Sequence, residues 1–215
     1  LIFMIGFPRS GTTLLDTILR SHQSFQVIEE QPLINTMREK VFGIKSGQFF
    51  SNLNSETISA CRAIYLEELQ KLKNIKQDKK VIVDKLPLNI LNVGLIGQVF
   101  PEATILLCIR HPFDCVLSSW MQNFQLNPAM AILTDLYSTA DFYDLCMKNY
   151  ELYKAKLCFN SCMIRYEDLV KDLRQTLEPL LQALEIDWND EFKQFNKTAE
   201  RREFINTPSY SQIIK

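Results

Sequence analysis

The stretch Leu1-Ile2-Phe3-Met4-Ile5-Gly6-Phe7-Pro8-Arg9-Ser10-Gly11-Thr12-Thr13 begins with five consecutive apolar residues and ends on two hydroxyl residues that start a helical rhythm. An unbroken apolar run of strand length belongs to a strand covered on both faces. After it, Gly6 and Gly11 stand in the G-x-x-x-x-G spacing of a phosphate-binding loop. Two glycines let the backbone wrap so that successive N–H groups and the helix N-terminus face one anion, while Thr12 and Thr13 add hydroxyl donors. The lysine that reaches the β and γ phosphates in nucleoside triphosphatases would follow Gly11, and that position is Thr12. Arg9 is the cation inside the loop.

Outward from this loop, strand-like runs recur at Phe25 to Ile28, Val81 to Val83, Thr104 to Ile109 and Cys162 to Tyr166, with helix-period segments between them. Thr12 to Ser21 turns Leu14, Leu15, Ile18 and Leu19 inward, and Ile58, Cys61, Tyr65, Leu69 and Leu72 mark an amphipathic helix that ends in the lysine-rich run Lys71 to Lys80. Further helices are expected from Pro87 to Phe100, from Pro112 to about Phe124, and from Pro128 to Lys156. Leu173, Leu177, Leu180 and Leu184 mark another, whose start Pro179 leaves open, because only a first-turn position tolerates proline without a kink. The alternation predicts an α/β fold: a parallel β-sheet with helices on both faces, of the P-loop nucleotide-binding type. At 215 residues, with 47% hydrophobic and 23% charged, one domain over 1–215 is expected.

Lys plus Arg number 24 and Asp plus Glu 25, a formal charge of -1, so no bulk field favours nucleic acid or an anionic membrane and any anion must be bound locally. The apolar runs fall far short of the ~20 residues that span a bilayer, and a soluble chain is expected. Six cysteines include no C-x-x-C pair and only two histidines are present, which argues against a metal site and for reduced thiols in a cytoplasmic setting. Leu1 already lies inside a strand pattern, so a piece of a longer polypeptide is expected.

The run Gly6 to Leu15 resembles the 5'-phosphosulfate loop of sulfotransferases that use 3'-phosphoadenosine 5'-phosphosulfate (PAPS). Arg110-His111-Pro112-Phe113-Asp114-Cys115-Val116-Leu117-Ser118 resembles that family's 3'-phosphate motif, an arginine at a strand end with a serine eight residues later. Ile164 to Val170 is similar to the segment beside the adenine, with Tyr166 lining the base pocket, and Thr207 to Gln212 to the loop that closes over the nucleotide, with Ser209 as the contact. Val83-Asp84-Lys85-Leu86-Pro87 is similar to a strand-end lysine segment. The likeness spans essentially the whole chain and is nearest to tyrosylprotein sulfotransferases and to bacterial sulfotransferases carried beside tetratricopeptide repeats.

This resemblance implies sulfuryl transfer from PAPS to an acceptor hydroxyl on a peptide tyrosine, a sugar or a small molecule, with 3'-phosphoadenosine 5'-phosphate (PAP) as product, no metal, and a repeat domain in cis among the possible partners. Donor contacts would come from Arg9, Ser10, Gly11, Thr12, Thr13, Arg110, Ser118, Tyr166 and Ser209. The transfer needs a base for the acceptor proton and positive charge on the leaving phosphate. Glu30, the second of the adjacent acids Glu29 and Glu30, matches the base of the tyrosylprotein enzymes, with Arg9 and Lys85 as cations. His22 and His111 are the alternatives where histidine serves as base. Gly43 to Phe50 and Trp120 to Phe124 are candidates to shape the acceptor side. Two other readings stay open: a P-loop kinase using ATP and magnesium, with Asp84 holding the metal, and a donor-binding module without catalysis.

Overall fold

The computed structural model describes residues 1–43, 53–72, 80–122 and 130–200. Five strands, β1 (Ile2–Gly6), β2 (Phe25–Glu29), β3 (Val81–Lys85), β4 (Thr104–Ile109) and β5 (Asn160–Arg165), form one sheet in the order β2-β3-β1-β4-β5. Every neighbouring pair is parallel. The central strand β1 is wholly buried, which is why its sequence is continuously apolar instead of alternating.

Side chains of β1 divide between two cores, one on each face. Phe3 and Ile5 pack with residues of α2 (Leu33–Phe42), α3 (Ser55–Gln70), α4 (Val93–Val99) and α6 (Leu136–Lys156). Ile2 and Met4 pack with α1 (Thr12–Arg20) and α8 (Leu173–Ala183). The expected α/β sandwich is therefore present, with helices on both faces.

Chain order creates a switch point. From β1 the chain proceeds to β2 and β3 on one side, and from β4 to β5 on the other, so the carboxyl ends of the adjacent β1 and β4 open a crevice between diverging connections. The loop after β1 and Arg110 after β4 lie at this crevice.

Several helices depart from their expected limits. The segment after Pro87 begins as a 3-10 turn, Pro87–Asn92, before α4. The long helix expected from Pro128 is likewise divided: a 3-10 turn, Met130–Thr134, precedes α6, whose start is set by the Asp135 carboxylate accepting from the Ser138 N–H at 2.7 Å. Residues 123–129, Pro128 included, lie outside the described residues. α5 (Pro112–Trp120) stops before Phe124. The strand expected to reach Tyr166 ends at Arg165, and Tyr166 opens the short α7 (Tyr166–Lys171). α8 starts at Leu173, capped by Asp172, and carries Pro179 in its interior. Pro179 forfeits one helical N–H bond there, a loss opposed by the buried Leu177, Leu180 and Leu181.

Candidate active site

The loop between β1 and α1 is held in a conformation that ordinary residues resist. Arg9 has φ 69° and Gly11 φ 96°, both left-handed. At Gly11 a Cβ would come 2.7 Å from the Tyr166 ring, and at Gly6 one would come 2.6 Å from the Cys108 carbonyl oxygen, so both glycines are required by close approach as well as by turning. The loop is also tied to α5: the Ser119 hydroxyl donates to the Pro8 carbonyl at 3.1 Å, and Arg9 Nε donates to Ser118 Oγ at 2.9 Å.

Around β4 the donor-side candidates converge. The Arg110 guanidinium lies 4.8 Å from the centre of the Tyr166 ring and pairs with Asp114 at 3.3 Å. Tyr166 thus touches both the loop glycine and the strand-end arginine. Burial, and then the nearby positive charge of Arg110, lower the Arg9 pKa from its ordinary value. Two positive charges at one crevice, Arg9 on Ser118 and Arg110 beside Tyr166, suit an anionic ligand. Ser10 Oγ and Arg110 Nε are buried with no hydrogen-bond partner among the described residues, and Thr12 and Thr13 are buried beside them in sequence. His111 donates its backbone N–H to Glu167 at 2.8 Å, fixing the turn from β4 into α5.

A second cluster forms where β2 and β3 end. Lys85, fully buried, places its ammonium 3.0 Å from Glu30 Oε1, 3.2 Å from Glu29 Oε1 and 3.8 Å from Asp16 Oδ2. Strand register sets Glu29 opposite Lys85, and the Glu30 N–H donates to the Lys85 carbonyl at 2.8 Å. Glu30 itself has φ 50°, so the chain turns sharply as it leaves β2. Asp16, fully buried on α1, also pairs with Arg20. A buried ammonium is tolerable here because three carboxylates surround it.

Asp84, next to Lys85, points the other way. Fully buried, it accepts from the Tyr65 hydroxyl of α3 at 3.0 Å, on the face opposite α1. Burial pushes its carboxyl up to about 7, against the lowering effect of the Tyr65 hydrogen bond. A magnesium ion beside the loop after β1 would need this carboxylate on the α1 side, so the geometry does not favour the kinase reading.

Residues 2–190 match the model of the sulfotransferase family. The chain belongs to that family. Among relatives, protein-tyrosine sulfotransferase 1 of Danio rerio is 26% identical over 204 residues, covering 88% of this chain and 54% of its own length. An uncharacterized protein of Aquifex aeolicus is 26% identical over 232 residues, covering 100% of this chain and 29% of its own length. The chain thus spans between 29% and 54% of the length of these relatives. Among solved structures, the sulfotransferase domain of the Synechococcus PCC 7002 olefin synthase superposes with TM-score 0.60 at 17% identity, covering 99% of this chain and 82% of that one. The sulfotransferase domain from the curacin biosynthetic pathway gives 0.58 at 18%, covering 91% and 77%. These likenesses bear on the fold.

Within this sulfotransferase-family chain, the residues expected from sequence fall into two groups. Arg9, Ser118, Arg110, Tyr166 and Gly11 meet around the β1–β4 crevice, while Lys85 and Glu30 meet beyond β3. Arg9 and Lys85, expected together at one oxygen, approach from opposite sides of β1. His22 lies after the far end of α1, stacked on Phe192 at 4.6 Å, and its Nδ1 accepts from the Ser24 N–H. That position, ahead of the start of β2, is at the wrong end of the sheet for a base. Ser209, residues 44–50 and Phe124 lie outside the described residues. Sequence reasoning passed over Asp16 and Ser119. The signal for Asp16 was an acid beside the apolar stripe Leu15, Ile18 and Leu19, where only a paired charge is stable.

Proposed function

We propose that this chain transfers a sulfuryl group from PAPS to an acceptor hydroxyl, as one domain over 1–215 and without a metal ion. The observation that carries the reading is the pairing of Lys85 with Glu30 one strand away from a glycine-bounded loop whose own arginine is bonded to Ser118. The backbone of residues 6–13, with Ser10, Thr12 and Thr13, would hold the phosphosulfate. Arg110, Ser118 and Tyr166 would hold the 3'-phosphate and adenine, and Ser209 would close over them. As the acceptor oxygen bonds to sulfur, the bond from sulfur to the bridging phosphate oxygen breaks. Glu30 receives the acceptor proton, and Arg9 and Lys85 stabilise the charge left on PAP.

The protein-tyrosine sulfotransferases among the relatives favour a peptide tyrosine over a sugar or small phenol as acceptor. The family resemblance supports a tetratricopeptide-repeat domain in cis. Six free cysteines, without a C-x-x-C pair, support a reducing, cytoplasmic setting. Among the described residues no helix is long and apolar enough to cross a membrane. Titration calorimetry with PAP tests the donor reading: saturable binding is expected, and a folded chain that binds no PAP at millimolar nucleotide refutes it. Labelled transfer to peptides, glycans and small alcohols then identifies the acceptor.

A further inference from the structure

Arg110 stands one residue past Ile109, the last residue of β4 to pair with β5. Its guanidinium is lightly held, by an ion pair at 3.3 Å to Asp114, itself 54% exposed, and by the Tyr166 ring 4.8 Å away. The aim of this side chain therefore depends on the main chain at residues 110 and 111, where the strand has ended and α5 has not begun.

Continuing the register Ile109↔Arg165 by two residues sets residue 111 opposite residue 167. At that point a side chain takes over from the main-chain ladder: Glu167 Oε1 accepts from the His111 N–H at 2.8 Å. The His111 carbonyl belongs to α5, accepting from the Cys115 N–H at 3.1 Å, and His111 gives that helix no side-chain cap. Glu167 thus holds the N–H of the peptide group that joins Arg110 to His111. Its other oxygen, Oε2, is in ion-pair contact with Arg165 Nε at 3.2 Å.

Burial acts to raise the Glu167 carboxyl, but hydrogen bonds from the His111 N–H and its own N–H, with the charges of Arg165 and Arg110, hold it below its ordinary value. Glu167 is therefore a carboxylate at neutral pH, in the field of the arginine read as the 3'-phosphate contact. A carboxylate there repels a phosphate. Its charge opposes donor binding while its hydrogen bond supports it, and these opposite signs separate a positioning residue from a binding one.

We propose that Glu167 is a positioning residue of the donor site: by holding the peptide group between Arg110 and His111, it aims the Arg110 guanidinium at the 3'-phosphate. This rests on the reading of Arg110 as the 3'-phosphate contact.

Calorimetry on the full chain with PAP and with adenosine 5'-phosphate tests the role. Glu167→Ala is expected to weaken PAP binding by about threefold to tenfold, the scale of one hydrogen bond, and to leave adenosine 5'-phosphate binding unchanged. Glu167→Gln keeps an oxygen for the His111 N–H and is expected to bind PAP at least as tightly as the parent. In an Arg110→Ala background, Glu167→Ala is expected to change the preference between the two nucleotides no further. Should Glu167→Ala not fold, Glu167→Asp, one methylene short of His111, is expected to show the same loss of preference. The proposal is overturned by an unchanged preference in the shortened variant, whatever its melting temperature. It is equally overturned by a loss in Glu167→Gln as large as in Glu167→Ala, or by an undiminished effect in the Arg110→Ala background. A parent chain that binds PAP no better than adenosine 5'-phosphate, or an Arg110→Ala variant that keeps the preference, defeats the reading of Arg110 instead.

Discussion

Around the carboxyl end of β4 the site is made by main chain and by neighbours in sequence. Arg110 precedes one helix and Ser118 lies in that helix's last turn, the loop glycines fix the approach of Tyr166, and Ser119 holds Pro8. At the ends of β2 and β3 it is made by charged side chains from three elements, with Lys85 joined to residues 55 and 56 positions away. The first region is a shape with charge added to it. The second is a charge balance for which the sheet supplies only the register. Losing one group should therefore weaken binding in the first region, and should stop chemistry or unbalance the fold in the second.

The sharpest way to break this contrast is Glu30→Gln. Turnover should fall by about a hundredfold or more while PAP affinity, measured by calorimetry, stays the same. Comparable losses in both quantities would mean that the two regions do not divide the work. Lys85→Ala comes next, since it leaves the carboxylates of Asp16, Glu29 and Glu30 without their shared cation. Urea unfolding should show a loss of about 3 kcal/mol, with Lys85→Met less affected because it fills the same space. Arg110→Ala should leave stability nearly intact and reduce PAP affinity about tenfold to a hundredfold, with preference over adenosine 5'-phosphate abolished.

A pH effect separates Lys85 from its neighbour. The Asp84 carboxyl is raised from 3.8 to about 7 in the folded chain, so between those values the folded state binds more proton than the unfolded state. Its contribution to stability is therefore greatest at low pH and is lost as pH rises through that window. Asp84→Asn should remove this decline, so its melting temperature should gain on the parent between pH 4 and pH 8 (roughly the span of the two pKa values). Parallel pH dependence in both proteins would show that Asp84 does not carry the effect.

The same contrast explains what could be read from the sequence. The parallel sheet was legible because buried strands advertise themselves as unbroken apolar runs, and the loop because close approach demands glycine at Gly6 and Gly11. Arg110 and Ser118 were named through family resemblance, as a strand-end arginine with a serine eight residues later. Lys85 and Glu30 came from family resemblance, since nothing local in Val83-Asp84-Lys85 states which acid its ammonium will meet. That pairing depends on β2 lying beside β3 with Glu29 opposite Lys85, which only the assembled sheet determines. Helix limits failed where a side chain overrode periodicity, as when Asp135 capped α6 and divided the stretch expected as one helix. Pro179 left the start of α8 open, and the structure closes the question because burial of its neighbours outweighs a missing hydrogen bond.

The fastening of Pro8 and Arg9 to Ser119 and Ser118 has a thermodynamic consequence. A free loop with Arg9 and Gly11 in left-handed conformations would sample many shapes, and an anion would have to select one of them at the cost of the rest. Here the helix that follows β4 restrains the loop before any ligand arrives. The conformational freedom of residues 6–13 is thus surrendered during folding, and an incoming anion meets a receptor whose ordering entropy has already been lost.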